Sequence, residues 1–521
     1  MGPASCRSFV TPDSGNCLKT RFRGRDLPEN VLQGEKFENS ETTMGKQIRA
    51  DYEQILMFPP SVEDWVAKDH PARFIRDFVD SLDLSELGIE IPDSDTGRPP
   101  YAPDLLLKVW LYGYFNRIRA TRKLEKACLE NMGLIWLTGM NAPDHNSLWR
   151  FFKANKKSLR HLFKQSIRVA LKADLIGLVL HAVDGTKIRT LSANEHVRDR
   201  KHLERVLEDI SERLDRTIGD AMTEIERAER EESGEYRLPA SMQDGLKRKQ
   251  RIQEALKELD ASDKKVVHPS EPEARFMKNR RTKDLSYNAQ AVADEKSGLI
   301  VAQAVVTDGV DNGQLVAMLD KVKENLGAVA EETVADAGYF SSGQIGLADE
   351  RKYEVLVAKS SGEIVSARGA ESDPYHHSRF VYDQERDCCI CPEGRLLPFH
   401  KRKIRGKNNE FRRYRCTDFQ TCPHRWKCSD SKNGRLIDIS VHLEAVERHC
   451  SKREKPENQQ RLKARKKIIE PVFAWIKRAL GFRRWTVAGI ENVKAQWDLI
   501  CTTINLRKLY KHWVSGELVF S

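Results

Sequence analysis

Residues 285–309 read LSYNAQAVADEKSGLIVAQAVVTDG, and this stretch decides the architecture. Apolar and β-forming residues fill Leu285 to Ala293 and again Leu299 to Val306, with turn formers over Asp294 to Gly298 between them. The pattern predicts two antiparallel strands joined by a tight connection. Upstream, Leu175 to Val183 (LIGLVLHAV) is a nearly continuous apolar run ending in Asp184-Gly185, as expected of a buried strand that stops at a turn. Downstream, Asn312 to Leu326 has helical periodicity, Glu332 to Ala335 is a short strand leading into Asp336-Ala-Gly-Tyr339, and Tyr353 to Ala358 is another strand. A hairpin followed by strands separated by helices predicts an α/β fold built on a small mixed sheet with flanking helices.

The chain has 521 residues, enough for about three domains of ordinary size, and its 40% hydrophobic content supplies a core. Lys and Arg number 88 against 77 Asp and Glu, a net charge of +11 that favours a polyanionic partner such as nucleic acid. Eleven cysteines in a long chain without a signal peptide point to reduced thiols or metal ligands rather than a disulfide framework. No apolar run approaches the roughly 18 residues of a membrane span. A soluble cytoplasmic protein is expected.

Residues 1–46 lack a core-forming pattern and are expected to be a disordered leader, with the natural start at Met44. Residues 47–173 read as a helical N-terminal domain, with helices over Val66 to Leu82, Pro103 to Asn131 and Ser147 to Ala173, the last capped by Asn146 or Ser147. The third carries Arg150, Lys153, Lys156, Lys157 and Arg160 after a loop too long for the standard helix-turn-helix, so groove insertion and an ordinary solvated bundle are both open. The sheet occupies 174–194 and 275–360. Between them, 195–274 has leucines and isoleucines at three- and four-residue spacing amid alternating charge, broken at Leu238-Pro239, which predicts an inserted, largely solvated helical hairpin. Residues 361–460 form a basic cysteine-bearing module around the hairpin candidate HKRKIRGKNNEFRRYRC. Its one Cys-x-x-Cys, Cys388 to Cys391, precedes Cys416, Cys422 and Cys428. A structural zinc on Cys391, Cys416, Cys422 and Cys428, with Cys388, Cys389 or His424 as replacements, competes with a set of reduced, partly buried thiols.

Residues 461–521 close the chain with two helices, the second over Val493 to Trp513, where Arg507 and Lys508 suit the last turn better than DNA contact. In RKKIIEPVFAWIKRALGFRRW, Arg465 to Trp485, Ile469, Val472, Ile476 and Leu480 share one side of a helix while Glu470 and Lys477 share the other. Pro471 is expected to kink this helix or restart it. A lone acid among Lys463, Lys466, Lys467, Lys477, Arg478, Arg483 and Arg484 is ordinarily a solvated ion-pair partner.

Read together, HAVDGTKI around Asp184, TVADAGYFS around Asp336 and IIEPVFAWIKRALGFRRW around Glu470 resemble the three acidic motifs of DDE transposases of bacterial insertion sequences, in the branch with a cysteine-bearing segment before the third acid. YEQILMFPPSVEDWV, GRPPYAPDLLLKVWLYGY, EPEARFM, SYNAQAVAD and INLRKLY extend the likeness from Gly45 to about Tyr510. The resemblance implies an RNase H-like core, with Asp184, Asp336 and Glu470 as catalytic residues holding two Mg²⁺ or Mn²⁺ ions, and metal-dependent cleavage and strand transfer of double-stranded DNA. It also implies terminal repeats and target DNA as partners, a homo-oligomer on DNA and association with the nucleoid. The family places Tyr, Arg and Lys at set distances from the Glu; Lys477 matches, whereas Lys463 and Lys466 depart and keep only the charge. Lys463, Lys466, Lys477, Arg483, Arg484, Arg150 and Lys153 are the expected DNA contacts. A nuclease of the same fold without strand transfer, and an inactive DNA-binding descendant, are the alternatives.

Overall fold

A computed structural model describes residues 61–89, 99–230, 240–279, 282–360, 372–406 and 409–520. The leader, Met44 and the Leu238-Pro239 break lie outside them.

The described residues up to Lys172 are helical, but each long helix expected there is shorter or divided. Helix α1 (Pro71–Asp80) starts at the proline rather than at Val66, with the His70 imidazole accepting from the Ala72 amide. The run from Pro103 becomes α2 (Pro103–Phe115) and α3 (Thr121–Glu130), separated where Arg117 takes a φ of +68°. Helix α4 (Met132–Leu137) fills part of the long connection that follows. Asp144, not Asn146 or Ser147, caps α5 (His145–Ala154), accepting from both of those amides. Asn155 then separates α5 from α6 (Lys156–Lys172).

Six strands form the main sheet: β1 (Leu180–Arg189), β4 (Arg275–Asn279), β5 (Thr282–Asp294), β6 (Ile300–Val306), β7 (Glu332–Ala335) and β8 (Val355–Val357). The order is β4-β5-β1-β7-β8, with β6 also pairing β5. β1 is antiparallel to β5 and parallel to β7, and β7 is parallel to β8, so the sheet is mixed. Helices α9 (Leu315–Leu326) and α10 (Ser342–Glu350) make the crossovers. Between β1 and β4, a short ladder of β2 (Arg198–Asp199) with β3 (Val266–Val267) closes the foot of the inserted hairpin, α7 (Arg200–Arg230) and α8 (Ala240–Ala261). The hairpin has a small core of its own around Leu203, Ile210, Leu214, Ile252 and Leu259.

Strands β9 (Val381–Asp383), β10 (Cys388–Ile390), β11 (Leu396–Arg405), β12 (Asn409–Arg415) and β13 (Leu436–Ser440) build a separate antiparallel sheet, with Cys389, Leu397 and Tyr414 fully buried. The chain then returns through α11 (Leu443–Glu454), α12 (Pro456–Ala474) and α13 (Ile490–Val514). One continuous apolar cluster runs from Val66 to Leu518, joining α1–α6, the main sheet and the last two helices. Helix α13 is its axis: Trp497 donates to the Gln290 carbonyl, and the Asn505 amide accepts from Ile300 N–H and donates to Ile300 C=O on edge strand β6. These last two bonds satisfy polar groups that an edge strand would otherwise leave open.

Candidate active site

Asp184-Gly185 is not a turn. β1 continues through it to Arg189, paired with β5 along the way, with Asp184 opposite Ala291, whereas its pairing with β7 ends at Val183 and Ala335. Asp184 therefore lies inside a strand, at the point where one side of that strand loses its neighbour. Gly185 is required there: a Cβ would stand 2.3 Å from the Gln290 side-chain nitrogen and 2.9 Å from an Asp311 oxygen. Asp336 follows β7 directly and caps a single 3₁₀ turn, accepting from the Gly338 amide at 2.9 Å.

The two aspartates share one electrostatic neighbourhood. Burial, then the charge of Asp336, pushes the Asp184 carboxyl up to about 6; Arg465 and the Gly185 amide oppose this, and Asp311 adds to it. Gly185 N–H donates to Asp184 Oδ1 at 2.7 Å and Arg465 Nη1 to Oδ2 at 3.2 Å. Beneath them, Asp311 accepts from Lys187 Nζ at 2.7 Å, Asn288 Nδ2 at 2.6 Å and Gln290 Nε2 at 2.7 Å. Gln290 in turn accepts from the buried Tyr339 hydroxyl, whose own pKa burial and the charges of Asp311, Asp184 and Asp336 drive upward. The floor of the site is thus a connected polar network on β1, β5 and the Asp308–Gln314 loop.

Glu470 stands elsewhere. It is exposed on α12, while Ile469, Val472, Ile476 and Leu480 are buried as the periodicity requires. From that helix it is Arg465 that reaches Asp184, and at 100° per residue Glu470 is turned about 140° from it. Helix α12 passes through Pro471 without breaking, and a π turn over Trp475–Ala479 follows instead of a kink at the proline. Among the described residues, no group of three or more His, Cys, Asp or Glu is placed to hold a metal ion. The chemistry of Asp184 and Asp336 nevertheless fits a divalent cation: they are hard oxygen donors whose mutual repulsion a cation would relieve.

The basic residues divide by what they touch. Lys463, Lys466, Arg150 and Lys153 are exposed, Lys153 lying 5.7 Å from the Trp149 ring centre. Lys477 is half-buried in the π turn, and Arg483 Nε donates to its carbonyl. Arg484 is engaged by the protein itself: it donates to the Thr190 and Leu191 carbonyls and clamps the exit of β1. Arg507 donates to Phe115 C=O and stacks on Phe115 and Trp475, and Lys508 donates to Ser297 and Gly298, so both are structural.

In the second sheet the thiol of Cys428 is raised by burial first and by nearby Cys391, Cys416 and Cys422, so the four sulfurs lie near one another. Cys388 and Cys389 are buried on β10, and His424 lies 3.7 Å from Glu393. The donor types suit zinc, but among the described residues none of these is in a ligating arrangement.

Sequence reasoning misses Asp311, Lys187 and Arg465. Asp311 lies in a polar loop, VTDGVDNGQ, that reads as an ordinary connection. Arg465 does leave a signal: it is four residues before Ile469 on the apolar stripe, and Arg461, four residues earlier, pairs at 3.0 Å with the buried Glu332. A cation on the buried face of a helix announces a buried carboxylate opposite.

Residues 390–510 match a family described as Transposase DDE domain, and residues 60–154 match another described as Transposase domain (DUF772). No curated protein matches the chain, and no solved structure does. Two separate transposase families thus match most of the N-terminal helical region and the segment that carries Glu470, and they support a DDE transposase of an insertion sequence.

Proposed function

We propose that this protein is a DNA transposase that cleaves phosphodiesters at the ends of an insertion sequence and joins them to target DNA. The observation that carries this is that Asp184 and Asp336 each follow the last paired residues of β1 and β7, Val183 and Ala335, with burial and the charge of Asp336 pushing Asp184 up to about 6. Strand order β4-β5-β1-β7-β8, with a carboxylate on the first strand and another after the parallel neighbour, supports an RNase H-like core over 174–194 and 275–360. Residues 47–173, 195–274, 361–460 and 461–521 are the attached helical, inserted, cysteine-bearing and closing segments.

Asp184 and Asp336 would hold a divalent ion, which when bound supplies Lewis-acid activation of the phosphodiester. The chain's own residues prepare that position. Arg465 neutralises Asp184 when no other cation is near, Gly185 N–H fixes one carboxylate oxygen, and Asp311 with Lys187 anchors the floor. Glu470 is our third acid; it joins the pair through a rotation or re-registering of α12, for which the π turn at its end provides slack. Lys463, Lys466 and Lys477 on that helix, with Arg483, Arg150 and Lys153, meet DNA. Zinc on Cys391, Cys416, Cys422 and Cys428 would steady the second sheet; metal analysis should then find about one zinc per chain, lost in Cys422→Ser.

The test is an end-joining assay with the element's flanking DNA and Mg²⁺. Asp184→Asn, Asp336→Asn and Glu470→Gln should each bind DNA and abolish both cutting and joining. Cutting at authentic ends by Glu470→Gln at the wild-type rate would remove Glu470 from the site, and cutting without joining would leave a nuclease.

A further inference from the structure

At the foot of the inserted hairpin a cavity of about 600 Å³ opens between α7, α8 and the segments flanking β2 and β3. Among the described residues, four cations, Arg198, Lys247, Arg248 and Arg251, line it against one carboxylate, Asp244. Asp244 meets Lys247 only at 3.8 Å, and Arg198 is held by the carbonyls of Glu195 and Val197. Among the described residues no carboxylate pairs with Arg248 or Arg251. The buried His268 also lines the cleft; its Nδ1 accepts from the Ser270 amide, and burial, His196 and Arg198 disfavour its protonation, so the ring is held neutral beside these cations.

We infer that this cleft is a second DNA-backbone site, which takes the phosphates of duplex flanking the cut. Uncompensated cations gathered in one concavity repel each other and focus a positive potential that an anion relieves. Lys247, Arg248 and Arg251 are exposed along one side of α8. They span about 6 Å at 1.5 Å per residue, which matches two or three successive phosphates at about 3.4 Å of rise per strand. Their exposure suits a polymer lying across the cleft; a small enclosed ligand would bury them. Along the chain the cleft follows the strand that carries Asp184: β1 runs five steps, about 17 Å at roughly 3.3 Å each, from Asp184 to its end at Arg189, where Arg484 pins the exit, and the chain then enters the foot of the hairpin. This inference rests on the transposase reading and adds to it a DNA-binding surface on the insertion.

Binding of the full-length protein to a long duplex bearing the element's end, measured by fluorescence anisotropy over a salt titration without divalent ions, tests it. The triple variant Lys247→Ala/Arg248→Ala/Arg251→Ala should flatten the plot of log affinity against log salt by about 2–3 units, at roughly 0.9 for each phosphate no longer neutralised. Lys257→Ala, which removes an exposed cation of the same helix outside the cleft, should change the slope by less than about one unit. On a short duplex that stops at the cut, wild type and triple variant should bind alike. A triple variant with the wild-type slope on long DNA overturns the inference, as does an equal weakening on both duplexes. Arg251→Glu supplies a check in which repulsion, not truncation, weakens binding. Failure of the wild type to bind any duplex would instead sink the transposase reading itself.

Discussion

Asp311 receives three hydrogen bonds from side chains on two strands and is only 15% exposed, with Lys187 at 19%. Removing its carboxylate strands an ammonium and two amides together, so Asp311→Ala should destabilise the protein by about 2–3 kcal/mol, while Asp311→Asn, which can still accept, should cost about half of that. Urea unfolding checks both, and equal stability of Ala and wild type would show that the network carries no weight. Glycine at 185 belongs to the same network. Gly185→Ala pushes a methyl against Gln290 and Asp311 and should cost about 1–3 kcal/mol by overpacking.

At the scale of elements, α11 docks on β8 through a histidine. Nε2 of the buried His449 accepts from the Val357 amide, and burial first, then Arg453 and Lys452, pulls its pKa down to about 4. The folded state thus resists protonation that the unfolded chain accepts near 6.5. Its contribution is complete above pH 6.5 and is lost as pH falls toward 4, a decline of about 3 kcal/mol for this group. His449→Gln, which can accept without titrating, should flatten the stability profile over that window, and an unchanged profile would refute the assignment. The elements themselves are unequally legible. Hairpin β5–β6 and strand β7 follow from local pattern because their alternation and turn residues are contiguous. The breaks at Pro71, Arg117 and Asn155 are hidden, since the pieces on either side bury against one core and keep the apolar periodicity running across the gap. β1 reads too short because Asp-Gly usually turns the chain; only the close approach of Gln290 and Asp311 explains the glycine inside a strand. Asp184 and Asp336 can be seen because each ends an apolar run, whereas Asp311 depends on a loop folding back over the sheet.

At the scale of the whole molecule, the main cluster and that of the inserted hairpin differ in size, and this implies two stabilities. The inserted hairpin relies on a small cluster and a two-residue ladder, whereas α13 is buried along most of its length in the main cluster. Hydrogen exchange should therefore show α7 and α8 opening at clearly lower free energy than α13, and equal protection would contradict that division. The main cluster also stitches distant parts of the chain: Ser166 bonds Asn505 at a separation of 339 residues, and Arg119 donates to the Leu480 carbonyl across 361. Synthesis makes this a matter of time. At about 5–20 residues per second, the α6 segment emerges roughly 20–70 s before its partner on α13 exists. Throughout that interval Phe163, Ile167 and the other residues awaiting α13 have no native cover. The nascent protein must be shielded by a chaperone or risk aggregation, and the helix that brings Arg465 to Asp184 arrives only when translation has nearly finished.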